Sequence, residues 1–177
     1  MATIMDSYSE SNQDSYLNIS GTSRSAQTFT ANGEKVVSAK FYLQNTTGAT
    51  GNIIARLYAM SGNFGTTGIP TGSALATSDN FNVSTITSSF ALKTFTFSGA
   101  NQYVTTNGVN YCISIETSGS LNTLRLGRDM TSPTAAGNMA TGASTWAPIT
   151  GQDFIFYVYG EPNAVSPGAT LLMLLAK

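Results

Sequence analysis

Strict alternation of apolar and polar residues, interrupted again and again by glycine- and asparagine-rich turns, constrains this chain more than any other feature. In VNYCISIET, residues 109–117, Val109, Tyr111, Ile113 and Ile115 point one way while Asn110, Ser114 and Glu116 point the other. A period of two belongs to β-strands, whose successive side chains leave opposite faces. KVVSAKFYL repeats the pattern, with Val37, Ala39, Phe41 and Leu43 on one side and Val36, Ser38, Lys40 and Tyr42 on the other. NIIARLYAM sets Ile53, Ala55, Leu57 and Ala59 against Arg56 and Tyr58. ALKTFTF, NTLRLGR and FIFYVYG extend the series, and NTTGATGN, SGNFGTTGIPTGS, TTNGVN and SPTAAGNMATGAS punctuate it. No helical 3.6-residue period competes. The expectation is an all-β fold, an antiparallel β-sandwich of jelly-roll type whose sheets are each packed on one face and wet on the other.

The chain has 177 residues, enough for one domain with a sizeable core. The sandwich is expected over residues 21–160, preceded by residues 1–20 as an arm or first strand. QDFIFYVYG, residues 152–160, is bulky on both faces, with Phe154, Phe156 and Val158 expected inward and Ile155, Tyr157 and Tyr159 opposite. Such a strand is central, or its outer face is covered. Residues 161–177 then form a linker, EPNAVSP, and an apolar tail, GATLLMLLAK. Its Leu171, Leu172, Met173, Leu174 and Leu175 would each contribute roughly 1.5–3 kcal/mol on burial. About ten residues make only a marginal isolated helix, so the tail is expected to dock. It does so on its own sandwich, against the Ile155, Tyr157 and Tyr159 face, or on a neighbouring subunit as an added strand or plug. Seven extended linker residues span ~23 Å, and this reach favours exchange between subunits in a homo-oligomer.

Composition narrows the function. Of the 177 residues, 77 are Ser, Thr, Asn or Gly, and only 17 are charged, the surface of many proteins that work outside cells. Net charge is −1 and the eight basic residues are scattered. No cationic face displaces counterions, so nucleic acid and anionic membranes are disfavoured partners. Histidine is absent and Cys112 is the only cysteine. This removes imidazole bases, Ser-His-Asp and Cys-His nucleophiles, His-containing metal sites and internal disulfides. The nine acids stand singly rather than in pairs suited to glycoside hydrolysis. Neither an enzyme nor a cofactor is expected. No segment has the ~20 apolar residues of a membrane span, and the N-terminus has no secretory signal pattern. Outward-looking composition without an export signal suits a protein made in a cytoplasm and released by lysis. In that setting the acceptor patterns at Asn18, Asn45 and Asn82 carry no weight.

The segments AQTFTA, VSAKFYL, LATS, FTFSGA, VNYCISIETSG and SPTAAGNMATGASTWAPITGQDFIFYVYG together resemble a β-sandwich family of secreted bacterial and phage-encoded proteins. This family includes the choice-of-anchor domains. The resemblance covers about residues 24–160 and is most specific in the SPT…GN…W…G.D.IFYVYG series. It implies a jelly-roll-like sandwich without a catalytic constellation, used for display or adhesion. Lacking an export signal and a membrane-anchoring end, the chain sits closer to the phage-encoded branch, which implies a virion component contacting other virion proteins.

A subunit of an extracellular filament joined by its tail is a third reading; the leading alternative is adhesion to cell-surface glycans. Trp146, the only tryptophan, would then stack on a sugar, with Tyr157 and Tyr159 as further platforms and Tyr8, Tyr16, Tyr58 and Tyr103 behind them. The competing structural role for Trp146 is to cover the core end beside Phe154 and Phe156. Asp79, Asp129 and Asp153 lie in or beside loops, where they would cap turns or gather round Ca²⁺. Arg125 and Arg128 are an odd number apart and so are expected on opposite strand faces.

Overall fold

The alternating segments pair into two antiparallel sheets that close on each other face to face. The computed structural model describes residues 1–117 and 123–163. In chain order the strands begin β1 (Thr3–Tyr8), β2 (Ser15–Ile19), β3 (Arg24–Thr30), β4 (Lys35–Gln44) and β5 (Asn52–Ser61). They continue as β6 (Ile69–Thr77), β7 (Phe81–Asn82), β8 (Ala91–Thr96), β9 (Tyr103–Val104) and β10 (Asn110–Thr117). The last are β11 (Leu124–Asp129), β12 (Met139–Gly142), β13 (Trp146–Ile149), β14 (Asp153–Phe154) and β15 (Phe156–Glu161). Sheet A runs β1-β15-β4-β11-β14, with β2 on β11 and β8 and β9 on β4. Sheet B runs β13-β12-β3-β10-β5-β6, with β7 on β5. This is the all-β sandwich expected from the alternation. Among the described residues, no helix is long and apolar enough to cross a membrane.

The main core lies between the sheets. Sheet A supplies Ala39, Phe41, Leu43, Phe95, Phe156 and Val158, and sheet B supplies Phe29, Ile53, Leu57, Tyr111, Ile113 and Ile115. Phe41 and Phe95 meet edge to face with centroids 5.7 Å apart, a preferred aromatic geometry. The inward sets expected in 52–60 and 110–117 therefore hold at Ile53, Ala55, Leu57, Tyr111, Ile113 and Ile115.

Three positions differ from the simple alternation. In β4 the core takes Val36 and leaves Val37 half-buried. The ladder to β15 slips between Tyr159↔Ser38 and Gly160↔Val36, and this bulge reverses the parity at the start of the strand. Val109 stays 42% exposed, because it precedes β10. Ile155 is fully buried in the core. It occupies the break between β14 and β15, where its N–H bonds to Gly127 O at 3.1 Å, so it does not share the outer face with Tyr157 and Tyr159.

The larger correction concerns sheet B, whose outer face is not wet. Tyr58, Cys112, Ala26 and Ala140 form a second buried cluster there, with Met60, Ile69, Ala74 and Trp146 packed against it. Between Leu57↔Ala76 and Ala59↔Thr71 the ladder slips, so Gly72–Leu75 of β6 bulge out opposite Tyr58. Through this excursion β6 also reaches β3, β12 and β13, and covers the face from outside. Burial pushes the Cys112 thiol up to about 12, which leaves it unreactive.

Residues 1–20 contribute β1 and β2 to sheet A. The expected tail residues Leu171, Leu172, Met173, Leu174 and Leu175 lie outside the described residues.

Candidate functional site

Trp146 opens β13 and pairs with Gly142 across a tight hairpin to β12. The sheet geometry turns its indole onto the outer face of sheet B, not onto the main core beside Phe154 and Phe156. Tyr58 meets the ring edge to face at 6.3 Å, and the Arg24 guanidinium lies 4.5 Å over its centre. One face of the indole is thus taken by a cation–π contact, which a stacking sugar would have to displace.

Tyr157 and Tyr159 lie on the outer face of sheet A, opposite in parity to the core residues Phe156 and Val158. Their rings stack at 6.3 Å and 19°. Lys40, paired with Tyr157 in the ladder, lies 4.8 Å over the Tyr159 ring. Tyr157 donates its hydroxyl to Glu10 at 2.5 Å. Desolvation, followed by this bond, pushes the phenol up to about 12, and the same bond holds the Glu10 carboxyl below its usual range. The three expected glycan contacts therefore face opposite sides of the sandwich and do not form one site.

Two rings that were not singled out in the sequence extend the sheet A band. Tyr42, two residues beyond Lys40, stacks on Phe90 at 5.2 Å, and Phe90 in turn neighbours Tyr16 at 6.4 Å. Arg125 lies 4.3 Å over Tyr16, which is 38% exposed. The alternation in KVVSAKFYL had already placed Tyr42 outward beside Lys40; Phe90 lies in a turn and gave no signal. The other tyrosines are structural: Tyr8 and Tyr58 are buried, and Tyr103 meets Tyr111 edge to face.

The aspartates serve as ties within the fold. Asp129 accepts Thr131 N and Ser132 N at 3.1 Å each, and the Tyr8 hydroxyl at 2.6 Å. Asp14 caps the same turn through Met130 N and Thr131 N. Asp79 accepts Ser98 Oγ at 2.7 Å, and Asp153 accepts the Gln27 amide at 2.7 Å. No group of three or more acidic or cysteine ligands forms among the described residues. Arg125 and Arg128 do separate: Arg128 donates to Gln152 at 2.9 Å, and Arg125 to Gln44 at 3.2 Å.

Beside Arg24 lies a cleft of about 300 Å³, formed where β2, β3 and β12 meet and lined by Leu17, Ile19, Ser23, Arg24, Ser25 and Thr141 among others. Its walls come from segments more than a hundred residues apart in sequence, joined by the Thr141↔Ser25 and Gly142↔Arg24 pairs. On the neighbouring strand, Glu116 is 2% exposed. It accepts Arg56 Nη1 at 2.7 Å, the Tyr58 hydroxyl at 2.9 Å and Ser114 Oγ at 2.8 Å. Arg24, opposite Glu116 in the ladder, donates from Nη2 to Ser144 O at 2.9 Å. No protein-family model matches the chain, and no curated protein matches it in sequence.

Proposed function

We propose that this protein is a non-enzymatic structural component of a bacteriophage virion, a head decoration, fibre or tail appendage that oligomerises through its terminal segments and reaches the medium on lysis. The observation that carries this reading is the pairing of β1 with β15, which sets Thr3 opposite Gly160. Both ends of the described chain thereby lie side by side at one edge of sheet A. Among the described residues β1 has a strand partner on that one side only. An edge strand presents unpaired N–H and C=O groups to any chain that can align with it. In sequence, the linker EPNAVSP begins at Glu161, the last residue of β15, and leads to Leu171, Leu172, Met173, Leu174 and Leu175; it spans ~23 Å when extended. With that reach, the apolar residues would gain contacts by joining a neighbouring copy or another virion protein. The acidic groups support a non-enzymatic reading, since Asp14, Asp129, Asp153 and Glu116 are all committed to bonds that hold turns and strands.

The test is sedimentation of the full chain beside a chain lacking residues 162–177. The full chain is expected as an oligomer and the shortened one as a monomer. A monomeric full chain, or an oligomer that survives the deletion, contradicts the reading.

The aromatic band on sheet A favours a second reading, adhesion to cell-surface glycans. Tyr159, Tyr157, Tyr42, Phe90 and Tyr16 form two ring clusters along β4 and its neighbours, a surface suited to pyranose stacking. A glycan array compared between wild type and Tyr42→Ala tests it: loss of bound glycans in the variant supports the reading, and a silent wild type removes it.

A further inference from the structure

We propose that the outer face of sheet A binds an acidic oligosaccharide of the uronate type along β4, with Lys40 and Arg125 meeting its carboxylates and the rings between them its sugars. The inference rests on the adhesion reading and names the class of glycan that this surface takes.

Register lays out the face. Lys40, Tyr42 and Gln44 alternate with the core residues Ala39, Phe41 and Leu43, so all three leave β4 on the outside. On the strands beside it, Tyr157 stands opposite Lys40 and Arg125 opposite Gln44. Tyr16 lies one strand further out, opposite Gly127 of β11. Lys40, Tyr42, Tyr157, Arg125 and Tyr16 are all at least partly exposed. Gly127 makes room for the Tyr42 ring, whose edge would lie 3.0 Å from an added Cβ.

Both cations are held in place, and neither has a carboxylate within ion-pair distance. Lys40 lies 4.8 Å over the Tyr159 ring. Arg125 lies 4.3 Å over Tyr16, and its Nη1 donates to Gln44 Oε1 at 3.2 Å. Gln44 is itself fixed, through Nε2 to Ser88 O at 2.7 Å. Among the described residues the single ion pair within 4 Å joins Arg56 to Glu116, in sheet B. Glu10 reaches the band at its Lys40 end, where it accepts the Tyr157 hydroxyl at 2.5 Å. The charge of Arg125 at the other end has no such neighbour among the described residues.

Spacing selects a chain of sugars over a single one. Lys40 and Gln44, the partner of Arg125, are four residues apart on one strand, or ~13 Å, so no small anion meets both cations. Between them Tyr42 and Phe90 stack on each other at 5.2 Å, not under a cation, and supply an apolar surface for sugar C–H groups. An anion bound to either cation leaves it over its tyrosine. Two cations are too few for nucleic acid, whose affinity grows with the number of phosphates neutralised.

The experiment is calorimetric titration of the full chain with tetragalacturonate, its fully methyl-esterified form and inorganic tripolyphosphate. Tetragalacturonate is expected to bind at least about tenfold more tightly than either, and to weaken as salt is raised. Equal binding of the ester overturns the role of charge and leaves adhesion to neutral glycans standing. Equal binding of tripolyphosphate overturns the role of the rings. No binding of tetragalacturonate at millimolar concentration overturns the inference, whereas the adhesion reading falls only with a silent glycan array. Lys40→Gln and Arg125→Gln, on different strands, are each expected to weaken tetragalacturonate about threefold, and together about tenfold. If the double variant binds as well as wild type, the assignment to these two residues fails.

Discussion

Gln27 of β3 donates from Nε2 to Asp153 Oδ1 of β14 at 2.7 Å, a fully buried bond that ties sheet B to sheet A. Phe154 N returns a bond to Gln27 Oε1 at 3.0 Å, so the amide is engaged at both ends. Asp153 stands opposite Asp129 in the β11–β14 ladder. Desolvation pushes its carboxyl up to about 6; the Gln27 bond offsets part of this, and the Asp129 charge adds to it.

A pH dependence follows. The folded chain holds a proton on Asp153 that the unfolded chain has already released, so this site contributes stability at low pH. That contribution is lost as pH rises through about 6. The full linkage would be about 3 kcal/mol, which solvent screening reduces to roughly 1–2 kcal/mol. Asp153→Asn keeps an oxygen for Gln27 and carries no charge. Between pH 4 and pH 7 the wild type should therefore lose several degrees of Tm relative to this variant. A difference independent of pH would contradict the assignment.

Glu116 should be among the most sensitive positions outside the main core. Glu116→Ala strands the Arg56 guanidinium and two hydroxyls beneath the β6 cover. Arg56 remains 35% exposed, so the expected cost is about 2–4 kcal/mol, below that of a fully buried pair. Urea denaturation measures it. Replacing Arg56 and Glu116 together by methionine should recover most of the loss, because no unpaired charge is then left. A double variant as unstable as Glu116→Ala would show that the charge is not the cause.

At Gly142 the hairpin leaves no room for a side chain. An added Cβ would lie 1.8 Å from Thr145 O. Gly142→Ala should open the β12–β13 turn at a cost of about 1–3 kcal/mol. It should also release Trp146, the only tryptophan, from Tyr58 and Arg24. A red shift of the intrinsic fluorescence in the folded variant checks this; an unchanged spectrum would mean that the hairpin accommodates the methyl group.

Local alternation made the sandwich legible because a period of two assigns faces without knowledge of partners. It carried Ile53, Ala55, Leu57, Tyr111, Ile113 and Ile115 to the core. It failed at Val36 and Val37, where two equal side chains hide a bulge dictated by β15. It failed again at Ile155, where the strand breaks. The dry outer face of sheet B was written faintly in Tyr58, Met60 and Cys112, apolar residues on the side expected to be wet. What hid it was the β6 excursion, a tertiary event without a periodic signature. The Arg24 cleft was illegible for a related reason: Ser25 and Thr141 become neighbours only through long-range register. Grouping Trp146 with Tyr157 and Tyr159 failed because nearness in sequence across a hairpin says nothing about which sheet receives each strand.

Cross-linking an equal mixture of ¹⁴N and ¹⁵N chains through their lysines tests the proposed docking of the leucine-rich terminal segment on another molecule. Lys177 ends the segment, and Lys35 and Lys40 lie on β4 of sheet A. Docking between molecules is expected to give peptides joining Lys177 to Lys35 or Lys40 in which one half carries each isotope. If every such cross-link joins two halves of the same isotope, the segment folds back on its own sandwich, and docking between molecules is ruled out.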